Sequence, residues 1–191
     1  MVDGIFAIAM TLLILGIDPP KPPVSQAQIL LPGQIFNLVP QVFIFIAAFF
    51  IIASFWLSHH RQFHFVRTVD PHLLWINIIL LISIVFIPFS TDLAGDYPDV
   101  WIAVLLFHIN ILIVGLLFVY HIHYISKSGH LCDPEADKNF LQLHLSQSLM
   151  IPGVAFIAAI VSFVIPSGSL LVYLVIPVAR YSFFSGRSSR S

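Results

Sequence analysis

The sequence predicts an all-α integral membrane protein with six transmembrane helices. Its composition is the first reason: 59% of the 191 residues are hydrophobic and 9% are charged, where a soluble domain carries about 25% charged residues. The second is patterning, because the apolar residues gather into long uninterrupted runs, the signature of bilayer-spanning helices. The third is sidedness. With the N-terminus in the cytoplasm, Arg61, Arg67, Lys127, Lys138, Arg180, Arg187 and Arg190 fall inside and only Lys21 falls outside, as the positive-inside rule requires.

The chain reads as a single transmembrane domain over residues 1–185, followed by a tail, 186–191, expected to be disordered. The first helix is expected at about 3–17, ended by the breaker "DPPKPPVS". It offers only about 15 apolar residues where a span needs about 20, so the chain is expected to begin inside a longer native helix. The second is expected at 35–60, the third at 72–89 and closed by "PFSTDLAGDYPD", and the fourth at 100–123. The fifth is expected at 145–165 and the sixth, also short, at 169–184. Asp133, Pro134 and Glu135 form an N-terminal helix signal ahead of the fifth span. Pro40, Pro88, Pro152 and Pro177 lie in or at the ends of spans, where neighbouring helices re-satisfy the carbonyls they free.

Several classes are excluded. One cysteine, Cys132, allows no intrachain disulfide. The first apolar segment lacks a basic start and a small-residue cleavage site, so no signal peptide is expected. There is no phosphate-binding glycine loop and no charge run suited to nucleic acid. The assigned topology puts Asp18, Asp92, Asp96 and Asp99 on the outer face, an acidic surface that concentrates cations.

The histidines invite a metal reading. In "HHRQFH", His60 and His64 share a helix face, so two-point chelation is geometrically available. Histidine-box membrane enzymes need several such clusters, and this is the one present; no acidic general base stands beside it, as H-E-x-x-H supplies. The protein is therefore expected not to be an enzyme and to hold no metal or cofactor. His108, mid-membrane near Asn110, reads as an interhelical hydrogen bonder.

The first helix, "VDGIFAIAMTLLILGID", carries more. Ile8, Thr11 or Leu12, and Leu15 recur at helical spacing along one face, while Gly4, Ala7 and Ala9 leave flanks small enough for close packing. Asp3 is an intramembrane acid, which must find a partner. Here the sequence resembles the transmembrane protein 175 potassium channel family in its prokaryotic six-helix form. "VDGIFAIAMTLLIL" is similar to the family's first-helix signature, an R-x-x-x-F-S-D motif followed by G-[VI]-F-A-I-A-x-T-L-L-x-L. "FWLSHHRQF" resembles the segment ending its second helix, and "LLWINIILLISIVFIPFSTDL" its third. The resemblance covers residues 2 to 95 by motif and the rest by helix count. Val2 stands where the family has Ser, and of that motif only Asp3 is present.

The resemblance implies a homotetramer in the cell membrane, with the first helices lining a central pore for K+ and both termini cytoplasmic. No T-V-G-Y-G filter is present, so no re-entrant selectivity-filter loop is expected, and rings of Ile8, Thr11, Leu12 and Leu15 are the implied constriction. Asp3, Trp56, His59, His60 and Asn77 are the implied network supporting the pore helix, with one of the two histidines bonded to Asp3. The alternatives are a proton-coupled secondary transporter, which the lack of similarity between residues 1 to 95 and 96 to 191 disfavours, and proton conduction through the same pore.

Overall fold

The computed structural model describes residues 1–64, 66–128, 131 and 148–176. Its regular structure is helical. The helices are α1 (Val2–Leu12), α2 (Ala27–Asn37), α3 (Val39–Phe63), α4 (Pro71–Val85), α5 (Ile87–Asp96), α6 (Trp101–Lys127), α7 (Met150–Val161) and α8 (Pro166–Ser169). Among the described residues three stretches are long and apolar enough to cross a membrane, Val39–Phe63, Pro71–Asp96 and Trp101–Lys127, and two apolar helices are shorter, Val2–Gly16 and Met150–Val161.

Several expected boundaries are corrected. The first helix is α-helical only to Leu12 and finishes as a tighter 3₁₀ turn over Leu13–Gly16, a common way to end a helix. Between the breaker and α3 lies a separate helix, α2, which takes the first residues expected of the second span and carries Pro32 in its interior. Pro40 lies in the first turn of α3 and kinks nothing, because a proline there forfeits only a donor that has no helical partner.

The third span runs past its expected end. Pro88 sits in the first turn of α5, so "PFSTDLAGD" continues the helix instead of closing it. Pro71 opens α4 in the same way, behind Asp70, whose side chain accepts from the Leu73 N–H at 2.7 Å. The helix signal at Asp133 to Glu135, the start of the fifth span, Pro177, the end of the sixth span and the tail lie outside the described residues. Of the sixth span, α8 and a 3₁₀ turn over Leu170–Leu174 are described.

Helix α6 is the axle of the bundle. Val104, Phe107, Ile111, Val114 and Phe118 along it are buried, and it packs against α4, α5 and α7. It approaches α7 closely: a Cβ placed on Gly115 would lie 2.8 Å from Pro152 Cδ and 3.1 Å from Pro152 N. Phe6, Ala9 and Leu13 of α1 join the same core beside Ile44, Ala48, Ile51, Ile52 and Phe55 of α3. Large apolar side chains cover much of the outside as well, the surface a helix presents to lipid or to another subunit.

The ends of the bundle are chemically distinct. The start of α1, the end of α3, the start of α4 and the end of α6 meet at one end through Trp56–Asp3 and Tyr124–Asp70 hydrogen bonds. The opposite end joins Gly16, Asp92, Gln41 and Asp96.

Candidate pore helix and its anchor

The helix expected to line a pore is held to the rest of the chain by one face only. Phe6, Ala9 and Leu13 of α1 are buried. The opposite side is open: Ile8 is 58% exposed, Leu12 39% and Leu15 72%, and Thr11 is exposed between them. All four expected constriction residues, three on α1 and Leu15 on the 3₁₀ turn that ends it, are therefore left exposed by the described part of the chain. Ile8, Thr11 and Leu15 climb the open side at three- and four-residue steps, which keeps them in line. The Thr11 hydroxyl donates to the Ile8 carbonyl at 2.9 Å. Its single proton is committed to its own helix, so its oxygen lone pairs remain to meet a cation.

Asp3 anchors the start of this helix. The Trp56 indole Nε1–H donates to its Oδ1 at 2.9 Å, a charge-assisted bond. The expected histidine–aspartate bond is not the one formed. His59 Nε2 pairs with Asn77 Oδ1 at 2.9 Å, and the exposed His60 ring lies 6.1 Å from the Trp56 ring, centroid to centroid. Helical geometry gives the reason. Trp56 and His60 are one turn apart and share the side of α3 near Asp3, whereas His59 is rotated about 100° toward α4. His59 still lies beside α1, its ring 5.9 Å from that of Phe6. Four of the five residues expected to support the first helix thus form two hydrogen-bonded pairs, Trp56–Asp3 and His59–Asn77, and His60 flanks the first.

The sequence reading missed a second layer behind this network. His59 stacks on Phe63 at 4.4 Å and lies 5.9 Å from the ring of His121 on α6. His121 Nδ1 meets Gln62 Oε1 at 2.5 Å, which makes Nδ1 the donor because the amide oxygen only accepts. Gln62 Nε2 reaches back to the Phe118 carbonyl and to Ser148 Oγ at 3.4 Å. Gln62 lies three residues after His59 on the same helix, so their proximity was readable. Its partner 59 positions away carries no local signal.

His108 is fully buried and bonded at both nitrogens, to Tyr173 Oη at 3.0 Å and Ser169 Oγ at 2.7 Å, an interhelical hydrogen bonder as expected. Among the described residues no three His, Cys, Asp or Glu side chains stand together as a metal site. At the opposite end, a Cβ on Gly16 would lie 2.6 Å from Asp92 Oδ1, and Gln41 Nε2 donates to Asp96 Oδ1 at 2.8 Å.

Known proteins resemble this arrangement. Residues 1–88 match the family profile described as the endosomal/lysosomal potassium channel TMEM175. A potassium channel of Streptomyces collinus is 29% identical over 143 residues, 71% of this chain and 66% of that protein. The endosomal/lysosomal proton channel TMEM175 of Homo sapiens is 28% identical over 96% of this chain, which spans 37% of the human protein's length. The crystal structure of a lysosomal potassium-selective channel TMEM175 homolog from Chamaesiphon minutus superposes with a TM-score of 0.80 at 27% identity, covering 98% of this chain and 94% of that one. The first 88 residues thus match the TMEM175 profile, and the chain shares the fold of a TMEM175 homolog along nearly its whole length.

Proposed function

We propose that this chain is the subunit of a potassium-selective or potassium-preferring channel, a homotetramer of six-helix subunits whose pore is lined by α1. The observation that carries the reading is the exposure of Ile8, Thr11, Leu12 and Leu15 on one side of a helix whose other side is packed and whose start is tethered by Trp56 to Asp3. One such helix encloses nothing, and a path needs symmetry-related copies around an axis. Relatives named as potassium channels and a neighbour described as potassium-selective support the choice of ion.

The mechanism follows from side-chain rings rather than backbone carbonyls. Four Ile8 and four Leu15 side chains narrow the path and close it by steric block or by dewetting. Between them four Thr11 oxygens replace part of an ion's hydration shell. Potassium sheds water more easily than sodium, so a narrow and weakly polar ring favours it. The acidic outer end, with Asp18, Asp92, Asp96 and Asp99, raises the local cation concentration. No cofactor takes part; the bilayer and the permeant K+ are the ligands. The site is the cell membrane, with both termini cytoplasmic.

The test is the reversal potential of reconstituted protein under opposed potassium and sodium gradients, with a potassium-directed shift expected. A second reading, proton conduction through the same pore, is favoured by the printed names of the animal relatives. It predicts a reversal potential that tracks a pH gradient in the absence of potassium.

A further inference from the structure

The break between α4 and α5 is held open by a residue of another helix. Helix α4 ends at Val85 and α5 begins at Ile87, with Pro88 in its first turn. In an unbroken helix the Ile87 N–H would bond to the Ser83 carbonyl four residues back. Instead the side-chain amide of Asn110, buried on α6, lies between them. With the amide oriented to match donors with acceptors, its NH2 donates to the Ser83 carbonyl at 3.2 Å and its oxygen accepts from the Ile87 N–H at 3.2 Å. The Ser90 hydroxyl lies 3.1 Å from the same amide and 3.0 Å from the Ile87 carbonyl. The reverse orientation leaves a single contact, to Ser90, and turns the oxygen toward another acceptor. One helical hydrogen bond is thus replaced by two bonds through an inserted side chain, next to Pro88, which lacks the N–H that would meet the Ile84 carbonyl; both are recognised causes of a helix bend.

Helix α5, which starts at this break, reaches the end of α1. Its Asp92 side chain packs against Gly16, the last residue of the α1 3₁₀ turn, so closely that a Gly16 Cβ would stand 3.3 Å from Asp92 Cβ. Its Asp96 accepts from Gln41 of α3 at 2.8 Å. A shift of α5 would move Asp92 relative to Gly16 at the end of α1, and Asp96 relative to Gln41 of α3.

We propose that Asn110 is a positioning residue for the pore: its amide, inserted between Ser83 and Ile87, fixes the α4–α5 bend and thereby seats Asp92 against the outer end of α1. Any consequence for ion selectivity rests on α1 lining the pore. The bend itself does not, so two measurements separate the ideas.

The first reads the geometry. The Gly16→Cys, Asp92→Cys pair, in a Cys132→Ser background, places two Cβ atoms near the spacing of a disulfide, about 3.5–4.5 Å. Oxidative cross-linking should be slowed about 5-fold or more by Asn110→Leu, the scale of a modest coupling between sites. An unchanged rate overturns the proposal whatever the protein conducts.

The second reads the permeability ratio of reconstituted full-length protein. Asn110→Leu, or Asn110→Asp if the leucine variant does not assemble, should change potassium over sodium discrimination by about 5-fold in channels that elute as wild type. An unchanged ratio and current overturns the link to the pore. Wild-type protein that carries no current refutes the pore reading, and the cross-linking rate still decides the bend.

Discussion

The Trp56 indole nitrogen donates to the Asp3 carboxylate at 2.9 Å, so the end of α3 holds the beginning of α1. The bond joins the helix with an uncovered face to the long helix packed against its other side. It leaves the rest of α1 to be positioned by the packing of Phe6, Ala9 and Leu13. Trp56→Phe keeps the aromatic bulk and deletes only the donor. It should cost about 1 kcal/mol of stability, the net worth of such a bond at an accessible site, and should reduce potassium current. Denaturation in detergent together with flux in liposomes checks both.

The His59–Asn77 pair is buried, so its loss should cost more. Asn77→Leu leaves a histidine nitrogen without its 2.9 Å partner, a penalty of about 1–3 kcal/mol for an unsatisfied buried group. Asn77→Leu, His59→Leu should recover part of that loss, because the orphaned nitrogen is gone. A double-mutant cycle by thermal or chemical unfolding shows whether the two residues couple.

The exposed side of α1 makes a prediction with opposite signs. Thr11→Ala removes an oxygen that faces outward and should weaken discrimination of potassium from sodium. Ile8→Ala and Leu15→Ala remove bulk and should raise conductance to both ions. Single-channel recordings in mixed gradients measure all three, and unchanged behaviour in every variant removes this face from the pore.

His108 separates a channel from a proton-coupled carrier. Ser169 Oγ donates to the Pro166 carbonyl at 2.6 Å and lies 2.7 Å from His108 Nε2. Nε2 is then the ring donor and Nδ1 accepts from the Tyr173 hydroxyl. Tyr173→Phe should cost about 1 kcal/mol and His108→Leu about 1–3 kcal/mol, while assembled channels keep their potassium current. Loss of all transport in folded His108→Leu protein, with a flux coupled to the pH gradient in wild type, would instead support the carrier.

Close packing of α6 on α7 is also exposed to test. At Gly115 even a methyl group meets the Pro152 ring and backbone nitrogen at 2.8–3.1 Å. Gly115→Ala should therefore destabilise by about 1–3 kcal/mol, as overpacking does, although alanine is the better helix former. Increased stability in an unfolding assay would show that the helices can part at no cost.

Much of the architecture was legible because apolar runs of membrane length have few alternatives: α3 and α6 lie where hydrophobicity placed them. What was misread lay next to prolines. Pro88 and the polar "STD" after it suggest a loop, yet a proline in the first turn is compatible with a helix, and the Ser90 and Thr91 hydroxyls bond back to the Ile87 carbonyl at 3.0 and 2.8 Å. Helix α2 was hidden for the same reason, behind a proline-rich lead and its own Pro32.

At the site, the face holding Ile8, Thr11, Leu12 and Leu15 could be read from helical spacing, and Asp3, Trp56, His59, His60 and Asn77 from family motifs. Pairing was not legible to the same degree, because it depends on the rotation of each helix about its axis. That is why Asp3 was expected to meet a histidine and meets Trp56 instead. The contacts of Gln62 with His121 and of Asn110 with Ser83 and Ile87 join residues far apart in sequence, so no local pattern announces them.

The central claim, that α1 lines a potassium-selective pore, is tested most directly by the reversal potential of the reconstituted full-length protein with potassium on one side and sodium on the other. The account predicts a potential displaced toward the potassium equilibrium value, and a smaller displacement in Thr11→Ala. A wild-type current that reverses at zero, or a displacement that Thr11→Ala, Ile8→Ala and Leu15→Ala all leave untouched, would contradict it.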